Sequence, residues 1–172
     1  MSYFLGIDPG LSGALAFFDP VSNDLQVMDM PTHTITVNAK KKRRLDLNSL
    51  DVIFSSMLAV KTTIAVIENV NAMPKQGVTS SFNFGFTAGA LNAFLAAKRI
   101  PFVSVAPATW KKIMRVTSDK DATRREASRL MPMHADKWRQ VKDDGRAEAA
   151  LLAYYLWTQQ PREKVTGLES IL

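Results

Sequence analysis

The sequence predicts an α/β domain in which a five-stranded mixed sheet, an antiparallel three-stranded meander followed by two parallel strands, is flanked by helices. Three observations carry this. Short apolar runs at the N-terminus are cut by turn signals, Tyr3-Phe4-Leu5-Gly6-Ile7-Asp8 by Pro9-Gly10 and Gly13-Ala14-Leu15-Ala16-Phe17-Phe18 by Asp19-Pro20, as in strands joined by tight turns. Two later apolar runs, Thr63 to Glu68 and Phe102 to Val105, are each preceded by a stretch with helical spacing, as parallel crossovers require. The chain has 172 residues, the size of one domain with one core, so 1–172 reads as a single unit.

In chain order, Leu25 to Met30 completes the meander. Residues 31–47 begin with Pro31, lose periodicity and hold Lys40, Lys41, Lys42, Arg43 and Arg44 in succession, which reads as a basic loop. Asp46 or Asn48 can cap a helix carrying Leu50, Ile53, Phe54 and Met57 on one side. Thr63-Ile64-Ala65-Val66-Ile67-Glu68 is a buried strand ending in an acid. Residues 69–80, with Pro74 and Gly77, read as a loop, and the Ala-rich stretch from Phe84 to Arg99 as a long helix stopped before Pro101. Phe102 to Val105 is the fifth strand. Helices follow after Pro107, over 121–130 and over 144–157. This order, neither pure alternation nor all-β, suits a ribonuclease H-like fold.

Composition narrows the chemistry. The absence of Cys excludes disulfides, zinc fingers and a thiol nucleophile, and leaves only His33 and His134 as nitrogen ligands, neither of them near the acidic motifs. Any metal is therefore expected to take oxygen ligands. The formal net charge of +6 favours a polyanionic partner, nucleic acid ahead of an anionic membrane surface. No apolar run approaches a membrane span and no leader pattern opens the chain, so a cytoplasmic protein without a membrane partner is expected.

Asp8 and Glu68 each end a strand that is otherwise apolar, where an ionised carboxylate is costly unless something pairs with it. Singly, each also reads as the point where a strand leaves the core, Asp8-Pro9-Gly10 being an ordinary turn signal. In Asp143-Asp144-Gly145-Arg146-Ala147-Glu148, the acids Asp144 and Glu148 share one helical face, where they repel unless a cation intervenes. Helix capping accounts for one of these acids and not for three. Brought together, Asp8, Glu68, Asp144 and Glu148 would form an all-oxygen site suited to Mg²⁺ or Mn²⁺. Two such ions, about 3.5–4 Å apart, activate a water and clamp an in-line phosphoryl displacement, which is nuclease chemistry.

Leu5-Gly6-Ile7-Asp8-Pro9-Gly10, Ile64-Ala65-Val66-Ile67-Glu68, the Gly85 and Gly89 helix, Pro107-Ala108-Thr109-Trp110-Lys111-Lys112, Val116-Thr117-Ser118-Asp119-Lys120 and Asp144-Gly145-Arg146-Ala147-Glu148-Ala149 together resemble the RuvC-type Holliday junction resolvases over nearly the whole chain. The resemblance implies a homodimer that grips a four-way DNA junction and nicks two strands symmetrically, with Mg²⁺ held by Asp8, Glu68 and the C-terminal acids and no small-molecule cofactor. It favours Asp144 over Asp143 as the fourth ligand. It also turns the segment holding Lys111 toward the active site, so that Lys111 or Lys112, and likewise Lys120, can neutralise the scissile phosphate. The chain departs from the family in spacing its last two acids four apart, in carrying Asn71 where bacterial members place an aromatic wedge, and in the length and basicity of 31–47.

Each lysine also reads as a solvated side chain, and Lys40 to Arg44 either as a solvated loop or as a set of phosphate contacts with steep salt dependence. At least two of Phe82, Phe84 and Phe86 read as packing residues, under the helix or in a dimer interface, with Phe82 and Asn71 also candidates for contact with unpaired bases. The small-residue face Gly85, Gly89, Ala93 is the expected dimer contact. The leading expectation is a junction-resolving endonuclease. The alternatives are another ribonuclease H-like nuclease acting on branched DNA or hybrids, and a non-catalytic junction-binding protein.

Overall fold

The computed structural model describes residues 2–58, 62–69, 77–117 and 119–160. In chain order the strands are β1 (Ser2–Ile7), β2 (Ala14–Asp19), β3 (Asp24–Asp29), β4 (Thr32–Val37), β5 (Lys40–Leu45), β6 (Thr62–Glu68) and β7 (Phe102–Val105). The helices are α1 (Leu47–Leu58), α2 (Val78–Ala97), α3 (Pro107–Ile113), α4 (Lys120–Leu130) and α5 (Asp144–Thr158). The main sheet has the order β3-β2-β1-β6-β7, with β1, β2 and β3 antiparallel and β6 and β7 parallel to β1. This is the expected meander followed by two crossovers, in a ribonuclease H-like arrangement.

Strand alternation sorts the side chains into two cores. Tyr3, Leu5 and Ile7 of β1, with Leu15, Phe17, Ala65 and Ile67, face Leu50 and Phe54 of α1 and Leu91 and Leu95 of α2. Ala14, Ala16, Phe18 and Val66 face the other way, against Trp110 and the small-residue surface of α5: Ala147, Ala149, Ala150 and Ala153. Gly6 lets α5 lie directly on β1. A Cβ at this position would stand 2.0 Å from the Ala149 carbonyl oxygen and 2.4 Å from the Ala153 amide nitrogen. The helix is also held to the far strand, where the Arg146 guanidinium takes both carboxylate oxygens of Asp29, at 2.6 and 2.7 Å.

Residues 31–47, expected as a loop, instead contain a β-hairpin, with Thr32 paired to Leu45 and Val37 to Lys40. Its two-residue turn puts Asn38 at φ 50° and Ala39 at φ 58°, the left-handed pair a tight hairpin needs. The hairpin stands outside the main sheet but is tied to the body. Arg43 donates to the Leu11 carbonyl and to Ser12 Oγ, and Arg44 Nη1 donates to Asn83 Oδ1 of α2 at 2.7 Å, with its guanidinium over the Phe86 ring. Asp46 caps α1, accepting from the Asn48 and Ser49 amides. Helix α2 begins at Val78, six residues before the expected start, so part of the stretch read as a loop is helical. No helix among the described residues is long and apolar enough to cross a membrane.

Candidate metal centre

The parallel register of β1 with β6 pairs Gly6 with Val66 and Ile7 with Ile67. Asp8 and Glu68 therefore emerge side by side at the carboxyl ends of adjacent parallel strands, where open α/β sheets place their ligands. Both continue the Gly6 and Val66 face, the one covered by α5. Because Gly6 admits the α5 backbone at Ala149, the preceding residue, Glu148, is carried over the end of β1. Gly145, one turn earlier, packs just as closely: a Cβ there would sit 2.5 Å from the Ser12 carbonyl oxygen and 3.1 Å from Asp8 Oδ2. Residues distant in sequence thus converge, and carboxylate oxygens of Asp8, Glu68 and Glu148 lie within 4.8 Å of one another.

The electrostatics are those of a site short of positive charge. Burial is the main force pushing the Asp8 carboxyl up from 3.8 to about 7, with Glu148 and Glu68 adding to it, against the Gly10 amide and Lys111. The Gly10 amide donates to Asp8 Oδ1 at 3.1 Å. Glu68 is raised for the same first reason, burial, and the Trp110 indole partly offsets this by donating to Glu68 Oε1 at 2.8 Å. Lys111 Nζ lies 3.0 Å from Glu148 Oε1. Oxygens bound to a single divalent cation sit about 2.0–2.6 Å from it, and so at most about 5 Å from one another. The spacing, the all-oxygen donor set and the unfavourable charging of Asp8 all fit a divalent cation.

The raised Asp8 gives a pH dependence with a definite sign. Between about pH 4 and pH 7 the unfolded chain has released this proton while the folded, metal-free protein retains it, so stability falls as pH rises through that window. Metal-free Asp8→Asn is expected to be more stable than wild type at pH 8, with the gap closing at pH 4, in thermal unfolding followed by circular dichroism. A constant gap, or one that widens toward acid, contradicts the assigned environment.

Of the expected fourth-ligand candidates, Asp144 lies at the start of α5 but outside this cluster. Arg124 of α4 donates to its Oδ1, and Lys120 Nζ is 3.2 Å from its Oδ2. Lys120, expected near the phosphate, is accordingly a partner of Asp144. Asp143 is a capping residue: its Oδ2 accepts the Gln140 amide at 3.0 Å. Lys112 is exposed on α3, and Lys40, Lys41 and Arg43 are exposed on the hairpin, with Lys42 and Arg44 half-buried. Phe82 is 67% and Phe86 53% exposed, so neither packs beneath α2, while Phe84 is half-buried. Asn71 lies outside the described residues.

Two contributors were not anticipated from sequence. Trp110 was expected only as a neighbour of Lys111, and its position just after a Pro-initiated turn was the available signal. Arg124 gave none, since it stands in an ordinary charged helix.

Neither a family model nor a curated protein sequence matches this chain. Among solved structures, the chain is similar to Thermus thermophilus RuvC in complex with a Holliday junction substrate, at 13% identity and a TM-score of 0.55, covering 92% of this chain and 97% of that one. It also aligns with a second Thermus thermophilus RuvC structure at 16% identity and a TM-score of 0.48, covering 90% and 95%. The fold of the chain is RuvC-like.

Proposed function

We propose that this RuvC-like chain is a divalent-metal-dependent endonuclease that resolves four-way DNA junctions by hydrolysis, with water as the nucleophile. The observation that supports it most is the meeting of Asp8, Glu68 and Glu148 at the carboxyl ends of β1 and β6. In this reading those three carboxylates hold Mg²⁺, or Mn²⁺ in its place. The bound cation supplies charge to the scissile phosphate and acidity to a water. Lys111 orients Glu148 and extends positive charge toward the phosphate, where charge develops in the transition state. Asp144 is held by the largely buried Arg124 and pairs with the exposed Lys120, which is left at the rim to meet the approaching backbone.

The hairpin lysines Lys40, Lys41 and Lys42, together with Lys112, are the proposed phosphate-binding side chains, while Arg43 ties the hairpin to the loop that follows Asp8 and Arg44 ties it to α2. Replacing Lys40, Lys41 and Lys42 by Ala is expected to weaken junction binding and to flatten log K against log salt by up to about 0.9 for each phosphate no longer neutralised. An unchanged slope removes the hairpin from the DNA interface. Val78, Phe82 and Phe86 recur at four-residue spacing on the open face of α2 beside Gly85 and Gly89, an apolar stripe suited to a second copy of the chain, with Phe82 also able to stack on an unpaired base. A homodimer would present two sites and so make paired nicks. In this reading the protein acts in the cytoplasm of a bacterium or of a phage-infected cell.

The direct test compares purified protein with Mg²⁺ on a four-way junction, a flap, a linear duplex and an RNA–DNA hybrid. Symmetric paired nicks on the junction are expected. Equal cutting of the flap or hybrid, or junction binding without nicking, overturns the assignment.

A further inference from the structure

The α3 helix serves the acidic cluster twice, through adjacent residues. It starts at Pro107, just after β7, and β7 pairs with β6 so that Val105 stands opposite Glu68. The turn therefore delivers Trp110 under the end of β6. Trp110 is fully buried, and its indole N–H, which can only donate, requires an acceptor there. That acceptor is Glu68 Oε1, at 2.8 Å. The next residue, Lys111, ion-pairs with Glu148 at 3.0 Å and also lies over the Trp110 ring, its Nζ 5.2 Å from the ring centre. One rigid aromatic side chain, locked in the core beside Met114 and Ala147, thus touches one carboxylate of the cluster directly and the lysine that holds another.

We infer that Trp110 is a positioning residue for the metal centre: its indole N–H occupies one lone pair of Glu68 Oε1 and fixes the carboxylate so that its remaining lone pairs face Asp8 and Glu148. The inference rests on the metal-site reading above. A Glu carboxylate turns easily about its last torsion. A donor that cannot rotate, ionise or exchange with water removes that freedom before the cation arrives, as hydrogen-bonded partners of metal ligands generally do. No other described residue donates a hydrogen bond to the Glu68 carboxylate among those the structure records.

Trp110→Phe keeps an aromatic ring for the core and for Lys111 and removes the N–H. Calorimetric titration of the metal-free protein with Mn²⁺ at pH 7.5 is expected to show roughly tenfold weaker binding in the variant. The smaller ring leaves a gap at a fully buried site, so the unfolding midpoint without metal is expected to fall by a few degrees, while most of kcat should return at saturating Mn²⁺. Should Trp110→Phe fail to fold, β-(3-benzothienyl)alanine incorporated at position 110 exchanges only the N–H for sulfur and should give the same loss. Wild-type Mn²⁺ affinity in either folded variant overturns the inference while leaving the metal site intact. Wild-type protein that takes up no Mn²⁺ overturns the metal-site reading itself, and the positioning role with it.

Discussion

Asp8→Asn protein is expected to bind a four-way junction at least as tightly as wild type and to cut it at least about a thousandfold more slowly, several kcal/mol of lost charge stabilisation at 1.36 kcal/mol per tenfold. The asymmetry follows from where Asp8 sits. It directly follows β1, with a carboxylate oxygen within 4.8 Å of two other carboxylates, so its removal would take a ligand from the proposed cation and a negative charge from the path of the phosphate. Glu68→Gln is expected to behave alike, since its amide keeps the shape and the Trp110 contact while losing the charge. The measurement is single-turnover cleavage of a labelled junction beside a gel-shift titration in EDTA. Cleavage within tenfold of wild type in either variant would place the chemistry elsewhere in the molecule.

Gly6→Ala is expected to destabilise the fold by at least about 3 kcal/mol, the upper end of ordinary overpacking. Its methyl group would meet backbone, the Ala149 carbonyl and the Ala153 amide, and not a side chain that could turn aside. For α5 to accept the methyl it must lift off β1, unpacking Ala149, Ala150 and Ala153 from the sheet and carrying Glu148 away from Asp8. In a domain of this size the unfolding midpoint should fall by about 6–12 °C. Variant protein that stays folded should also bind Mn²⁺ poorly. A midpoint within 2 °C of wild type would mean that α5 does not lie against Gly6 as described.

The periodicity that reveals a strand also reveals where its face points, and this made the sheet readable. Tyr3, Leu5 and Ile7 alternate with Phe4, Gly6 and Asp8, and that parity alone puts Asp8 on the side opposite α1. The acids Asp8 and Glu68 were legible because each ends an apolar strand where a charge is costly, and Glu148 because it shares a helical face with another acid, Asp144. The hairpin was not, because five successive cations mask the alternation of β5. The β-branched run Thr34-Ile35-Thr36-Val37 before Asn38 was the signal, and it was outweighed by charge. The start of α2 was misplaced because Gly77 and the serines after it resemble loop composition, whereas Val78 already lies in the first turn. Asp144 shows a further limit. Helical spacing puts it on the face of Glu148, but its partner Arg124 comes from another helix, and no periodicity within one element can announce such a pairing.

The most direct measurement is anomalous diffraction from crystals soaked in Mn²⁺, read beside the same crystals of Asp8→Asn. A strong peak bounded by the carboxylates of Asp8, Glu68 and Glu148, absent in the variant, is the expected result. A peak held by other residues, or wild-type carboxylates that turn apart and leave no peak between them, would contradict it.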